Sequence, residues 1–149
     1  MISRRRLLLG AAAGALCTAG AGYMHYLEPE WFEVSTPHIP FFHTQPDAPP
    51  LKVLFLSDLH YSRYVPLPLI ARAITLGLAQ RPDVILLGGD YVLCDMPLDF
   101  AAFSKVLSPL AACAPTFACF GNHDRPVGTA KNRSIYHALT AAGIEVLFN

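Results

Sequence analysis

Along the last two thirds of the chain, short apolar runs alternate with segments in which apolar residues recur at helical spacing. The runs are rich in β-branched and aromatic side chains and predict strands that begin near Val53, Val84, Thr116 and Ile144. Between them, apolar residues recur at helical spacing, and the predicted helices cover residues 67–80, 100–110 and 134–142. Because the runs are apolar throughout, we expect strands buried on both faces. The alternation predicts an α/β fold with a mainly parallel sheet layered with helices.

The N-terminus carries a different pattern, in which three arginines at positions 4–6 precede an uncharged, mostly apolar run at positions 7–22. A basic start, an apolar stretch and small residues at its end are typical of an export signal. The order Ser3-Arg4-Arg5-Arg6-Leu7-Leu8 resembles the twin-arginine signal. Residues 1–27 are therefore predicted to direct export to the periplasm or the outer face of the cytoplasmic membrane. They are either a signal cleaved near Ala19-Gly20-Ala21 or an anchor that associates with the membrane through residues 7–27.

A connector is predicted over residues 28–50, where six prolines exclude a regular helix. Val34 is predicted to begin an edge strand that packs on the domain that follows. That domain is predicted to cover residues 51–149.

Composition adds two constraints on function. With 53% hydrophobic and 15% charged residues, the 149-residue chain can bury a sizeable core and is not intrinsically disordered. Its formal net charge is zero, so the overall charge gives no reason to expect nucleic acid as a partner. The four cysteines have no CxxC spacing. Two of the three outside the signal could pair in an oxidising compartment, but we expect those of the domain to be small buried apolar residues.

Polar clusters follow three of the four predicted strands. They read Ser57-Asp58-Leu59-His60, Gly88-Gly89-Asp90-Tyr91 and Gly121-Asn122-His123-Asp124. Because the carboxyl ends of parallel strands meet at one edge of a sheet, we expect the three clusters to lie together there. The glycines would let the backbone turn tightly where a Cβ atom would obstruct it.

The residue types in these clusters suit divalent metal ions, whose ligands are carboxylate, imidazole and amide oxygen. Asp58 and His60, separated by one residue, can turn toward one ion, and the two oxygens of Asp90 can bridge two ions. Asn122 can add its carbonyl oxygen without adding charge. Any one of these residues alone is explained equally well as a helix cap or a loop residue. Three such clusters at one edge favour a two-metal site.

In this order and at these strand ends, the clusters resemble the first three motifs of the calcineurin-like metallophosphoesterases: Asp58-x-His60, Gly89-Asp90 and Gly121-Asn122-His123-Asp124. The resemblance covers residues 51–149 and implies the front half of that family's β-sandwich (αββα) fold. It implies that Asp58 and His60 bind a first metal ion. It also implies that Asp90 bridges the two ions and that Asn122 binds the second.

The same resemblance implies roles for the last two motif residues. His123 would protonate the leaving group or stabilise the transition state, and Asp124 would orient His123. The cofactor would be two divalent ions of Mn, Fe, Zn or Mg, which activate a water against a phosphodiester or pyrophosphate bond. The partner would be a small-molecule or lipid-linked phosphoester, including sugar nucleotides, and no nucleic acid is expected.

Members of this family carry a further histidine and a Gly-His-x-His motif downstream, which supply three more ligands. Here one histidine follows His123, namely His137, which lies on a predicted helix and matches no motif. We therefore expect the domain to be incomplete at its C-terminus and, taken alone, to be weak or inactive as a hydrolase. The alternatives are a truncated, non-catalytic module that binds a metal or a partner, and a tethered scaffold with a vestigial site.

Overall fold

The computed structural model describes residues 3–26, 31–40, 49–93, 97–125 and 128–148. The chain forms two compact units, Met1–Ser35 and Thr36–Asn149. In the first unit, helix α1 spans Arg4–Tyr26, and its leucines at positions 8, 9 and 16 are exposed. No helix in the described part of the chain is both long enough and apolar enough to cross a membrane.

The predicted connector contains neither helix nor strand at residues 31–40 and 49–50, in keeping with its proline density. The edge strand predicted at Val34 is wrong, since this residue lies in irregular chain and is exposed. The rest of the predicted connector, residues 28–30 and 41–48, lies outside the described residues.

All four predicted strands form, and they pair in parallel in the order β1-β2-β3-β4. They are β1 (Val53–Leu56), β2 (Val84–Leu87), β3 (Thr116–Ala118) and β4 (Glu145–Val146). Strand β4 starts after Ile144, because the N–H of Ile144 still donates to the carbonyl of Leu139 in the preceding helix at 3.1 Å. The predicted α/β class with a parallel sheet is confirmed.

Three helices connect the strands: α2 (Leu67–Leu78), α3 (Phe100–Cys113) and α4 (Ala130–Ala141). Side chains cap two of them. The carboxylate of Asp99 accepts the N–H of Ala102 at 2.8 Å, and the hydroxyl of Thr129 accepts the N–H of Asn132 at 3.2 Å. The Thr129 cap starts α4 ahead of the predicted start at residue 134, since the capped first turn is polar and lacks the apolar periodicity.

Helix α3 continues through Pro109 and ends at Cys113, beyond the predicted end at residue 110. A proline inside a helix has no N–H to donate to the carbonyl four residues earlier, here that of Lys105. The hydroxyl of Ser108 donates to this carbonyl instead, at 2.9 Å. A side-chain donor thus satisfies the carbonyl that Pro109 leaves without its backbone donor.

The strand order brings all three helices to one face of the sheet. Right-handed crossovers between successive neighbouring strands carry each connecting helix to the same side. In agreement, α2 packs against α3 and α3 against α4. The core lies between these helices and the sheet, and its completely buried side chains are Ile85, Phe103, Leu107, Leu110, Ile135 and Leu139.

The opposite face of the sheet is apolar and exposed in the described part of the chain. Val53, Phe55 and Leu86 have exposed fractions of 48, 62 and 38%. The expectation of strands buried on both faces is therefore wrong for β1 and β2. A continuous apolar run shows that both faces of a strand are apolar. Which face the helices cover depends on the order of the strands in the sheet, and the residue pattern of a single strand does not reveal that order.

Truncation at Leu107 and at Phe55 tests which face forms the core. Leu107→Ala removes a completely buried side chain and should lower the free energy of unfolding by ~2–5 kcal/mol. Phe55→Ala removes a larger side chain from the exposed face and should cost less than about 1 kcal/mol. Urea denaturation of the 149-residue chain measures both values. A larger loss for Phe55→Ala than for Leu107→Ala would contradict the assignment of the core.

Candidate metal centre

Backbone pairing between β1 and β2 continues past the strand ends and joins the first two polar clusters. The N–H of Asp58 donates to the carbonyl of Gly89 at 3.0 Å. The N–H of His60 donates to the carbonyl of Asp90, also at 3.0 Å. Asp58 and His60 therefore stand beside Asp90 at the carboxyl edge of the sheet, where the parallel arrangement predicts them.

The side chains of Asp58, His60 and Asp90 converge. One ligand atom from each lies within 4.8 Å of the other two, and Nε2 of His60 is 3.4 Å from Oδ1 of Asp58. An ion with bonds of ~2.0–2.3 Å holds opposite ligand atoms up to ~4.6 Å apart, so only a small closure would complete such a site. Three of the four predicted ligands therefore converge.

The donor set fits a divalent cation. Two carboxylates this close repel each other, and a cation between them would offset the repulsion. Nδ1 of His60 is buried and has no hydrogen-bond partner in the described part of the chain. This nitrogen therefore makes no structural hydrogen bond. A buried polar atom without a partner lowers the stability of the fold, and a metal ligand bond would remove that cost.

The same three residues hold strained backbone conformations. Asp58, His60 and Asp90 have φ values of 57, 46 and 56°, in the left-handed region. Arg81 is the remaining non-glycine residue with positive φ among the described residues. Each such conformation costs ~1–2 kcal/mol for a residue with a Cβ atom. Strain of this kind persists where surrounding contacts enforce it and is concentrated at functional sites.

Two glycines permit the close approach of the turns. A Cβ atom on Gly89, whose φ is 96°, would lie 2.2 Å from the backbone nitrogen of Gly121. A Cβ atom on Gly121 would lie 2.1 Å from Oδ1 of Asp90. The turns after β2 and β3 are therefore in direct backbone contact, and a side chain at either glycine would displace the Asp90 carboxylate or the turn beneath it.

Asp124 is completely buried, and its carboxylate accepts three backbone N–H groups. The donors are Asp90 at 2.7 Å, Tyr91 at 2.9 Å and Gly121 at 2.9 Å. Within the described residues, no hydrogen bond joins this carboxylate to the imidazole of His123. The predicted role of Asp124 in orienting His123 thus has no supporting contact here and stays a prediction.

His123 lies beside the three converging side chains without joining them. Its backbone N–H donates to Oδ1 of Asp90 at 2.8 Å, and its exposed ring lies 5.2 Å, centre to centre, from the ring of His60 at an angle of 85°. Asn122, one residue earlier, is exposed. Its ligation of a second ion, like the role of His123 as proton donor, stays a prediction.

Sequence reasoning did not anticipate the role of Tyr91, which follows Asp90 directly. Its hydroxyl donates to the carbonyl of Cys119 at 2.9 Å and so ties the ends of β2 and β3 together. Burial, and then the negative charge of Asp124, raise the pKa of Tyr91 well above its ordinary value. The phenol therefore stays protonated and keeps its donor. The sequence does contain a signal for this role: a tyrosine, which has an apolar ring and one polar atom, directly follows a predicted ligand.

The remaining candidate residues lie away from this group. His137 lies on α4, as predicted, and is exposed, with its ring centre 5.7 Å from that of Tyr136. The expectation of buried cysteines is wrong for Cys113 and Cys119, which are exposed free thiols. Cys94 lies outside the described residues.

Comparisons with known proteins agree with the geometry. The sequence profile for calcineurin-like phosphoesterase matches residues 51–147. The chain is 64% identical over 149 residues to "Phosphodiesterase YaeI" of Escherichia coli (strain K12), covering 100% of the chain and 54% of that relative. It is 32% identical over 157 residues to "Uncharacterized metallophosphoesterase YkuE" of Bacillus subtilis (strain 168), covering 99% of the chain and 53% of that relative. The chain thus spans about half the length of the curated relatives it matches. No solved structure matches it.

Removal of the Asp90 carboxylate is expected to abolish metal binding at this edge of the sheet. Loss of a residue that merely supports a ligand weakens metal affinity by ~10–100-fold, so loss of a ligand should exceed ~100-fold. Isothermal titration of Mn²⁺ into chelator-treated Asp90→Ala and unsubstituted protein measures the difference.

Asp83→Ala is the matched control for this titration. Asp83 is exposed, and its carboxylate accepts the N–H of Lys52 at 2.8 Å, at the opposite end of the strands. Its loss should leave the affinity for Mn²⁺ unchanged. If the two variants lose affinity equally, the ion is held by general negative charge, and the assigned site is wrong.

Proposed function

The chain belongs to the calcineurin-like phosphoesterase family, and we propose that the protein is a metal-dependent hydrolase of phosphodiester or pyrophosphate bonds that uses two divalent ions. The observation that carries the proposal is the convergence of Asp58, His60 and Asp90 within 4.8 Å at the carboxyl edge of the sheet. The 64% identity to a relative named as a phosphodiesterase supports the diester as the substrate class.

The ligand residues would divide between two ions. Asp58 and His60 would hold the first ion, and Asp90 would contribute one oxygen to each. Asn122 would add its amide oxygen to the second ion. When bound, the ions would lower the pKa of a water molecule and offset the charge on the phosphoryl oxygens.

His123 would supply the proton that the leaving alcohol requires. Its ring is exposed to an incoming substrate, and its backbone is held to Asp90 by the 2.8 Å hydrogen bond. The ring therefore stays next to the ligands while its own nitrogens remain available for proton transfer. An imidazole nitrogen can donate a proton to a leaving alcohol, and histidine is the most frequent side chain in general acid catalysis.

A non-catalytic module that binds a metal or a partner is the alternative. The exposed imidazole beside the ligand group favours catalysis, since metal binding alone would not require it. The physiological substrate that we propose is a lipid-linked or sugar-nucleotide phosphoester, a choice supported by the apolar run at residues 7–22.

Replacement of His123 is expected to separate catalysis from metal binding. His123→Ala should keep the metal affinity of the protein and lose turnover of a chromogenic phosphodiester by ~10²–10⁴-fold, the usual contribution of general acid catalysis. The loss should be smaller for an ester with a better leaving group, because such a group needs little protonation. Metal content and initial rates for two diesters of different leaving-group pKa measure the effect.

His137→Ala serves as the control, because this exposed histidine lies on α4 away from the ligand group. It should leave both rate and metal content unchanged. Metal loss in His123→Ala would instead make His123 a ligand. Absence of turnover by a metal-loaded, unsubstituted protein that spans the full length of the matched relatives would contradict the proposed function.

We also propose that the protein is exported, with residues 1–27 as the signal or anchor. Support comes from the arginines at positions 4–6, the uncharged run that follows, and the start of the family match at residue 51. The helix α1 that contains the run leaves leucines 8, 9 and 16 exposed, as a segment recognised by export machinery or lipid requires.

Conservative replacement of the arginine pair is expected to retain the protein in the cytoplasm. The double variant Arg4→Lys, Arg5→Lys keeps the charge but not the guanidinium groups. Cell fractionation should find it in the cytoplasm and the Arg72→Lys control in the periplasmic or membrane fraction. An unchanged distribution of the double variant would contradict export by a twin-arginine signal.

A further inference from the structure

The Asp124 carboxylate lies where two turns of the backbone meet. Asp90 and Tyr91 belong to the turn after β2, and Gly121 belongs to the turn after β3. Their three N–H groups point to one carboxylate at 2.7–2.9 Å, and this carboxylate is completely buried. Successive backbone N–H groups in such turns form a concavity for an anion. Here a side chain of the same chain occupies it.

The backbone of Asp124 is hydrogen-bonded to helix α4. The side-chain amide of the buried Asn132 donates to the backbone carbonyl of Asp124 at 3.1 Å, and its oxygen accepts the N–H of Gly128 at 3.2 Å. Asn132 lies in the first turn of α4, which Thr129 caps. The backbone of Asp124 is therefore tied to the start of α4.

The contacts form a closed loop with the candidate ligands. Asp124 accepts the N–H of Asp90, and Oδ1 of Asp90 accepts the N–H of His123, the residue that precedes Asp124. Asp90 also accepts, through its carbonyl, the N–H of His60. A shift of Asp124 would therefore move the carboxylate of Asp90, the backbone of His60 and the backbone of His123 together.

We propose that Asp124 is a positioning residue for the metal centre, which acts through the backbone of Asp90 and not through the imidazole of His123. By accepting the N–H groups of Asp90 and Tyr91, which flank the Cα atom of Asp90, it keeps Asp90 in its left-handed conformation, with φ at 56°. In this conformation the Asp90 carboxylate meets Asp58 and His60. The proposal rests on the proposed function only in that the ligand group binds a metal ion.

Asp124→Asn tests this role with little change in shape. An amide has one acceptor oxygen in place of two, and its NH₂ group would face a backbone N–H. The N–H groups of Asp90, Tyr91 and Gly121 should exchange with solvent at least about tenfold faster in the metal-free variant, because hydrogen bonds to a charged group are the stronger ones. Affinity for Mn²⁺ should fall by ~10–100-fold, the usual effect of removing a residue that supports a ligand.

Leu107→Ala provides the control for stability alone. It should destabilise the domain without changing affinity for Mn²⁺ at a temperature where the domain is folded. If Asp124 acts through the imidazole of His123, Asp124→Asn should instead keep its affinity and amide exchange and lose only turnover, with the leaving-group dependence expected of His123→Ala. That result overturns the proposal.

Amide exchange in the unsubstituted, metal-free protein decides the matter if Asp124→Asn does not fold. The N–H groups of Asp90, Tyr91 and Gly121 should then be protected to the level of the paired strand β2, and rapid exchange at these positions overturns the proposal. Because this measurement involves no metal or substrate, it stands apart from the proposed function. A protein that spans the full length of the matched relatives and binds Mn²⁺ tightly but hydrolyses no diester would refute that function and leave the positioning role intact.

Discussion

The parallel pairing of β1, β2 and β3 as immediate neighbours is the constraint on which the candidate site depends. Adjacent strands lie ~4.8 Å apart. Residues that directly follow neighbouring strands are therefore close enough for even short side chains to contact one another. The ligand atoms of Asp58, His60 and Asp90 lie within that same distance, 4.8 Å, of one another. With another strand inserted between β1 and β2, aspartate and histidine side chains would be too short to meet.

The turns that carry these residues are held in place by hydrogen bonds of their backbone N–H groups. Three left-handed residues at ~1–2 kcal/mol each are a large cost for one edge of a sheet. The hydrogen bonds of Asp58 to Gly89, His60 to Asp90 and Asp90 to Asp124 oppose that cost. Because these hydrogen bonds join atoms of the chain itself, they hold the turns in a geometry that suits an ion.

The sequence predicts the elements and the convergence of the ligands, because both follow from local patterns and from one topological rule. Strand runs and helical spacing are local, and the rule that carboxyl ends share an edge places Asp58, His60 and Asp90 together. The exposure of Phe55 and the partners of Asp124 could not be read in the same way. The first depends on the order of strands, and the second on which backbone donors come together after folding.

The two ends of the strands tolerate different kinds of sequence change. The ligand-bearing turns are crowded to the point that a methyl group on Gly121 would meet the Asp90 carboxylate at 2.1 Å. The connections at the other edge, around Arg81 and Gly143, contain none of the candidate ligands. Insertions, affinity tags or fluorescent labels placed there would leave the ligand geometry intact. Relatives can likewise differ in the length of these connections while keeping the same ligand residues. The ligands follow the carboxyl ends of the strands, and the connections that lead into the amino ends of the strands do not contain them.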